Sequence, residues 1–230
     1  MREEKKLRDQ YRTFQEDPFP EDLTFQFGAH RLAFRKRVWR VPSENGESAV
    51  KGLRYGDNPE QPAALYGLES CEVELPGVKL VQPGFGLLGS LKEKDLLQVG
   101  KGPGKTNLTD IDSAILILRY LTSEPTCAIM KHNNPCAVAC GGDCAEALRR
   151  AYEADPLAAF GGTVVLNRPV NKEAAEFLQS IFVEVLVAPE YEEGTLDILR
   201  KRKSLRIIRL ERLGDLSDLC LLYTSPSPRD

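Results

Sequence analysis

Lys131-His132-Asn133-Asn134-Pro135 is the segment best equipped for chemistry, because it sets a fixed cation beside a group that titrates near neutral pH. It follows the apolar run Thr126 to Met130, which reads as a short buried strand, and α/β sheets place ligands at the C-terminal ends of strands. Of the two histidines, His30 falls in a predicted hairpin turn, so His132 is the candidate general base. The alternative is a solvated loop whose His and Asn satisfy turn hydrogen bonds. Three other patterns compete for attention. Gly100 to Thr106 imitates a phosphate-binding loop, but that motif needs four residues between its first Gly and the Gly-Lys-Thr, and Val99 stands at the first position. A Gly-rich turn feeding a helix is the better account, and the helix N-terminus has the capacity to hold an anion. Cys136, Cys140 and Cys144 recur every fourth residue after His132, which suggests a metal and, with it, a zinc-dependent deaminase-like hydrolase. Structural zinc prefers ligand pairs in separated clusters, so buried or loop thiols are the competing account. The five basic residues from Arg200 to Arg206 read as a solvated helix end, where cations complement the dipole.

Those residues need elements to position them. From residue 107 onward, Leu108, Ile111, Ile115, Leu118 and Leu121 mark one face of a helix, with Thr109 and Asp112 resembling a capping pair. After the strand at 126–130, Asp143-x-x-Glu146 opens a helix to about Ala154. Strand 163–166, helix 172–181, strand 183–188, helix 192–202 and strand 205–210 follow, and this alternation predicts an α/β layered sheet. If all strands ran parallel, the Phe160-Gly161-Gly162 loop would lie at the sheet end opposite His132; either the sheet is mixed or that loop reaches across. Residues 65–100, rich in Gly and Pro, read as loops with short strands. Residues 1–50 read as a small appendage: a helix over 3–15, then a β-hairpin in which Leu23, Phe25, Phe27, Leu32, Phe34 and Val38 give one buried face. Pro42 to Ser48 is a polar, turn-rich link. Residues 213–230 form a tail that fits neither pattern; from Leu219 it closely resembles translated sequencing-adapter DNA, or else is a disordered Ser/Pro tail.

Bulk properties narrow the function classes. A chain of 230 residues can bury a sizeable core. With 31 basic and 34 acidic residues the net charge is −3, which argues against a general nucleic-acid binder. No apolar run reaches the roughly 18 residues of a membrane helix. The charged start, Met1-Arg2-Glu3-Glu4-Lys5-Lys6, is unlike a secretory signal, so six cysteines read as reduced thiols of a cytoplasmic protein.

Five segments, in order, resemble the formyltransferase domain of the bifunctional purine-synthesis enzymes, which acts on 5-aminoimidazole-4-carboxamide ribonucleotide (AICAR). They are Leu53 to Gln61, Asn107 to Ala114, Lys131 to Cys136, Asp155 to Gly162 and Ala188 to Glu193. The resemblance runs from residue 52 to about 210, and the domain is taken as 51–212. The appendage resembles that of stand-alone bacterial forms; too few residues precede Arg54 to build the companion cyclohydrolase domain. The resemblance implies a cytidine-deaminase-like α/β/α fold without catalytic zinc, 10-formyltetrahydrofolate as cosubstrate, AICAR as acceptor and a homodimer at full length. It implies that His132 accepts the amine proton and Lys131 steadies developing charge. Arg54 and Tyr55 would bind the ribonucleotide, Asn107, Phe160 and Gly161 the imidazole carboxamide, and Glu184 would lie near the substrate. Glu60 stands where the family has His, and Ala137 where it usually has Gly, which bears on a tight turn there. The chain resembles the first half of that domain only, so it is expected to be truncated and inactive alone.

Overall fold

The computed structural model describes residues 17–42, 47–71 and 88–213. The helix expected over 3–15 and the tail from 214 lie outside the described residues. The centre is a six-stranded mixed sheet in the order β6-β11-β10-β9-β7-β8. Its strands are β6 (Leu96–Gln98), β7 (Thr126–Lys131), β8 (Asn134–Cys140), β9 (Thr163–Leu166), β10 (Val185–Ala188) and β11 (Arg206–Arg209). β9, β10 and β11 run parallel, as expected for strands joined by helices. β7 lies antiparallel to β9, pairing Met130 with Thr163 and Cys127 with Leu166. The sheet is therefore mixed, and the end of β7 meets the start of β9.

The antiparallel strand β8 was not expected from sequence, which treats Lys131 to Pro135 as a loop. β7 and β8 form a hairpin in which Lys131 faces Asn134. Its two loop residues, His132 (φ 53°) and Asn133 (φ 63°), both have positive φ, the signature of a type I′ turn whose twist matches the flanking strands. The register steps from Ile129↔Ala137 to Met130↔Pro135, so Cys136 is the extra residue of a bulge. Ala137 occupies a regular strand position there, and no tight turn requires glycine. Pro135 is tolerated because β8 is an edge.

Alternation within the strands sends side chains to two cores. On one face Cys127, Ile129, Val164, Leu166, Leu186 and Ile207 pack under α2 (Cys144–Ala154), α3 (Pro156–Ala159), α4 (Lys172–Ser180) and α5 (Thr195–Leu199). On the other, Ala128, Met130, Val165, Val187 and Ile208 pack under α1 (Lys105–Leu118), with Trp39, Val41 and Leu91. α2 begins as expected, the Asp143 carboxylate accepting from the Glu146 N–H at 2.8 Å. α1 begins earlier than expected: its N-cap is Gly104, whose N–H donates to Asn107 Oδ1 at 3.0 Å. Thr109 is not a cap; its hydroxyl donates to the Thr106 carbonyl. The last helix is only five residues, so the basic run lies after it, not in its final turn.

The N-terminal hairpin pairs β1 (Asp22–Phe27) with β2 (His30–Lys36), and β2 also pairs with β5 (Tyr66–Cys71). Its expected buried face is only partly so: Phe25 and Phe27 are exposed. Most of the polar link expected from Pro42 to Ser48 lies outside the described residues; β3 (Trp39–Pro42) and β4 (Ser48–Lys51) on either side of it pair antiparallel, and Trp39 is 1 % exposed in the core beneath α1.

Candidate active site

One edge of the sheet gathers the C-terminal ends of β6 and β7 and the N-terminal ends of β9, β10 and β11. Lys131, His132, the loop before β9 and Glu184 lie along it. At the β7 side, Lys131 Nζ donates to the Phe160 carbonyl at 2.8 Å, so the loop before β9 does meet the Lys-His pair. The Phe160 and Phe182 rings lie 4.9 Å apart. Gly161 adopts φ +74°, and its N–H donates to the Phe182 carbonyl at 2.8 Å. That positive φ favours glycine. The Glu184 N–H donates to the Gly162 carbonyl at 3.0 Å, which sets Glu184 at the mouth of β10.

Arg54, Tyr55 and Asn107 form a second group around the Gly-rich loop. The Arg54 N–H donates to the Pro103 carbonyl at 2.9 Å, and the Lys105 N–H to the Tyr55 carbonyl at 2.8 Å. A methyl group at Gly104 would approach the Tyr55 ring to 2.5 Å, so glycine is needed for that close packing. Lys105 Nζ pairs with Asp57 at 2.7 Å. The neighbouring turn is held by Gln61, whose Oε1 accepts from the N–H groups of Asp57 and Asn58, while Glu60 is exposed. Asn107 is buried, its Oδ1 engaged by Gly104.

Arg206 joins the two groups. Its Nε donates to the Gly102 carbonyl at 2.8 Å, and one terminal nitrogen meets Glu184 Oε2 at 3.2 Å. Burial lowers the guanidinium pKa from its ordinary value, and the Glu184 charge opposes that shift. The solvated helix end expected at 200–206 thus ends in a buried cation at the site.

Asp110 was also missed. Its Oδ1 accepts from the Asn133 N–H at 2.6 Å and its Oδ2 from the Thr163 hydroxyl at 3.3 Å. Burial pushes this carboxyl above its ordinary pKa, while the two hydrogen bonds and the nearby His132 pull the other way. The available signal was an acidic residue three positions after Asn107 in a helix with apolar neighbours.

The cysteines do not converge. Cys136 donates to the Ala158 carbonyl, Cys140 shares a hydrogen bond with Thr126, and Cys144 accepts from the Asn171 N–H. Among the described residues no group of three or more His, Cys, Asp or Glu side chains is placed to hold a metal ion, and no helix is long and apolar enough to cross a membrane.

The edge therefore offers a titratable imidazole, a lysine ammonium, an arginine–glutamate pair and a Gly-rich loop at a helix N-terminus, the equipment of proton transfer and anion binding. A family model described as AICARFT/IMPCHase bienzyme matches residues 30–219. The chain is 40% identical over 161 residues to a bifunctional purine biosynthesis protein PurH of Caldicellulosiruptor saccharolyticus, covering 70% of this chain and 28% of the relative. It is 40% identical over 179 residues to PurH of Aquifex aeolicus (76% and 32%), and 38% identical over 161 to that of Bacillus subtilis (70% and 28%). The chain spans less than a third of the length of these relatives. With the match covering most of its residues, the chain belongs to the AICARFT/IMPCHase bienzyme family.

Proposed function

We propose that the chain serves purine biosynthesis as part of an enzyme that transfers the formyl group of 10-formyltetrahydrofolate to the 5-amino group of AICAR. The observation that carries this reading is the mixed sheet. Because β7 runs against β9, Lys131 and His132 share an edge with Phe160, Gly161 and Glu184. Family membership and the relatives' names agree with it. In the reaction the amine nitrogen bonds to the formyl carbon, His132 takes the amine proton, and the bond from that carbon to folate N10 breaks as N10 gains a proton. The Lys131 ammonium steadies negative charge developing on the formyl oxygen. Arg54 suits bidentate contact with the ribonucleotide phosphate and Tyr55 flanks it. Asn107, Phe160 and Gly161 face the imidazole carboxamide, and Glu184 lies beside it. The two helical faces suit a cytidine-deaminase-like α/β/α layering over 51–212. Folate contacts, a homodimer and a cytoplasmic setting belong to the same reading.

A second reading has a specific basis: since the chain spans under a third of its relatives, these residues alone bind the nucleotide without transfer. The test compares the 230-residue chain with a polypeptide that carries it at the relatives' length. The short chain binds AICAR in calorimetry and shows no folate-dependent formylation. In the long polypeptide His132→Ala lowers kcat about 10²–10⁴-fold while AICAR affinity changes little. A near-normal kcat in that variant overturns the catalytic reading.

A further inference from the structure

His132 and Asn133 are successive non-glycine residues at positive φ. Such positions cost of order 1–3 kcal/mol each and persist where surrounding contacts over-determine them. The contacts here come from α1. The Asn133 N–H donates to Asp110 Oδ1 at 2.6 Å, and the Ser113 hydroxyl donates to Asn133 Oδ1. Asp110 and Ser113 are three residues apart and share a helix face. The second Asp110 oxygen accepts from Thr163 at the start of β9. One carboxylate, 5 % exposed, thus ties the turn, the helix and the neighbouring strand together. Hairpin stability alone does not call for this arrangement. Glycine is the favoured second residue of a type I′ turn, and a buried carboxylate is a costly way to brace one.

We infer that Asp110 and Ser113 are positioning residues for His132, acting through Asn133 to fix the backbone from which the imidazole projects. The inference rests on the reading of His132 as the base, and neither α1 residue takes part in bond making. Asp110 supplies the acceptor that holds the turn's backbone, and Ser113 supplies the donor that holds its side chain.

The test uses the polypeptide at the relatives' length, with Asn133→Gly, Ser113→Ala, Asp110→Ala and Asp110→Asn measured for kcat, KM for AICAR and Tm. Asn133→Gly keeps or raises Tm because glycine relaxes the turn, yet it lowers kcat toward the ~10²-fold that misplacing a catalytic group by about 1 Å costs. Ser113→Ala, at a half-buried position, lowers kcat in the same direction with little change in Tm. Asp110→Ala lowers kcat at least as much, with KM changed by less than about threefold. Asp110→Asn keeps an oxygen acceptor for the Asn133 N–H and retains kcat within about threefold of the parent. If Asn133→Gly and Ser113→Ala keep parental kcat while His132→Ala loses it, the inference fails and the reading of His132 stands. If Asp110→Asn loses as much as Asp110→Ala, the carboxylate acts by charge and the positioning role is wrong. A parental kcat in His132→Ala defeats the underlying reading instead. Should Asp110→Ala not fold, the Asn133 and Ser113 variants decide.

Discussion

Arg206→Met isolates what one buried cation contributes to the candidate site. Methionine keeps most of the aliphatic stem, so the change removes the guanidinium with little loss of packing. Two interactions vanish: the bond to the Gly102 carbonyl at 2.8 Å and the contact with Glu184 at 3.2 Å. Gly102 is buried, so its carbonyl loses a charged donor and is left unpaired, at a cost of about 1–3 kcal/mol. The Glu184 side chain is 40% exposed and rehydrates, so its contact is worth about 1 kcal/mol or less. Relief of the buried charge returns part of this, because burial already disfavours the charged guanidinium. The net expectation is a loss of about 1–3 kcal/mol, or a fall in Tm of roughly 2–10 °C for a domain this size. Urea denaturation at constant m measures it. Glu184→Gln keeps an acceptor for Arg206 and leaves the Gly102 bond intact, so it costs under about 1 kcal/mol. If Glu184→Gln destabilises as much as Arg206→Met, the ion pair dominates and the reasoning from the Gly102 carbonyl is wrong.

Asp110→Asn raises stability at neutral pH. Burial holds the folded-state pKa of this carboxyl above its unfolded value, so its stabilising contribution is full below the unfolded pKa and is lost as pH rises through the folded one. The Tm gap between variant and parent therefore closes on acidification, and a gap independent of pH refutes the assignment. Gly104→Ala drives a methyl into the Tyr55 ring and costs about 1–3 kcal/mol, and Tyr55→Ala relieves most of that cost in a double-mutant cycle; additive losses count against the contact. Gly162→Ala brings a methyl within 2.9 Å of the Met130 carbonyl, displacing the strand end that carries Lys131, and lowers kcat of the full-length polypeptide; an unchanged kcat contradicts that coupling.

Much of this architecture is legible in the residues, and the gaps have identifiable causes. From residue 105 on, helices and strands announce themselves through apolar periodicity and, at Asp143, through a cap whose side chain does what its type predicts. β8 is hidden because Pro135, Cys136, Ala137 and Ala139 are small or strand-averse and do not alternate with polar residues. Its turn is hidden too, since His132-Asn133 lacks the glycine by which a type I′ hairpin is recognised. Strand direction is a tertiary property, so sequence left open whether Phe160 meets Lys131; the pairing of β7 with β9 decides it. The candidates Lys131, His132, Arg54, Tyr55, Asn107, Phe160 and Gly161 came from the ordered motifs. Asp110 and Arg206 were not, because a helix position and a basic run carry no sign of burial until the neighbouring layers are known.

The pairing of β6 with β11 has a consequence for the order of assembly. Gln98 faces Ile207, and Arg206 reaches Gly102 across a separation of 104 residues. The β7–β8 hairpin closes over two residues, and α1 reaches it from about 20 residues upstream. Loop-closure entropy makes the near contacts fast and the far ones slow. On a ribosome, the turn bearing His132 is able to form while β11 is still inside the exit tunnel. The Gly-rich loop gains its buried arginine only after β11 emerges, so the two sides of the edge are completed at different times, the His132 turn first.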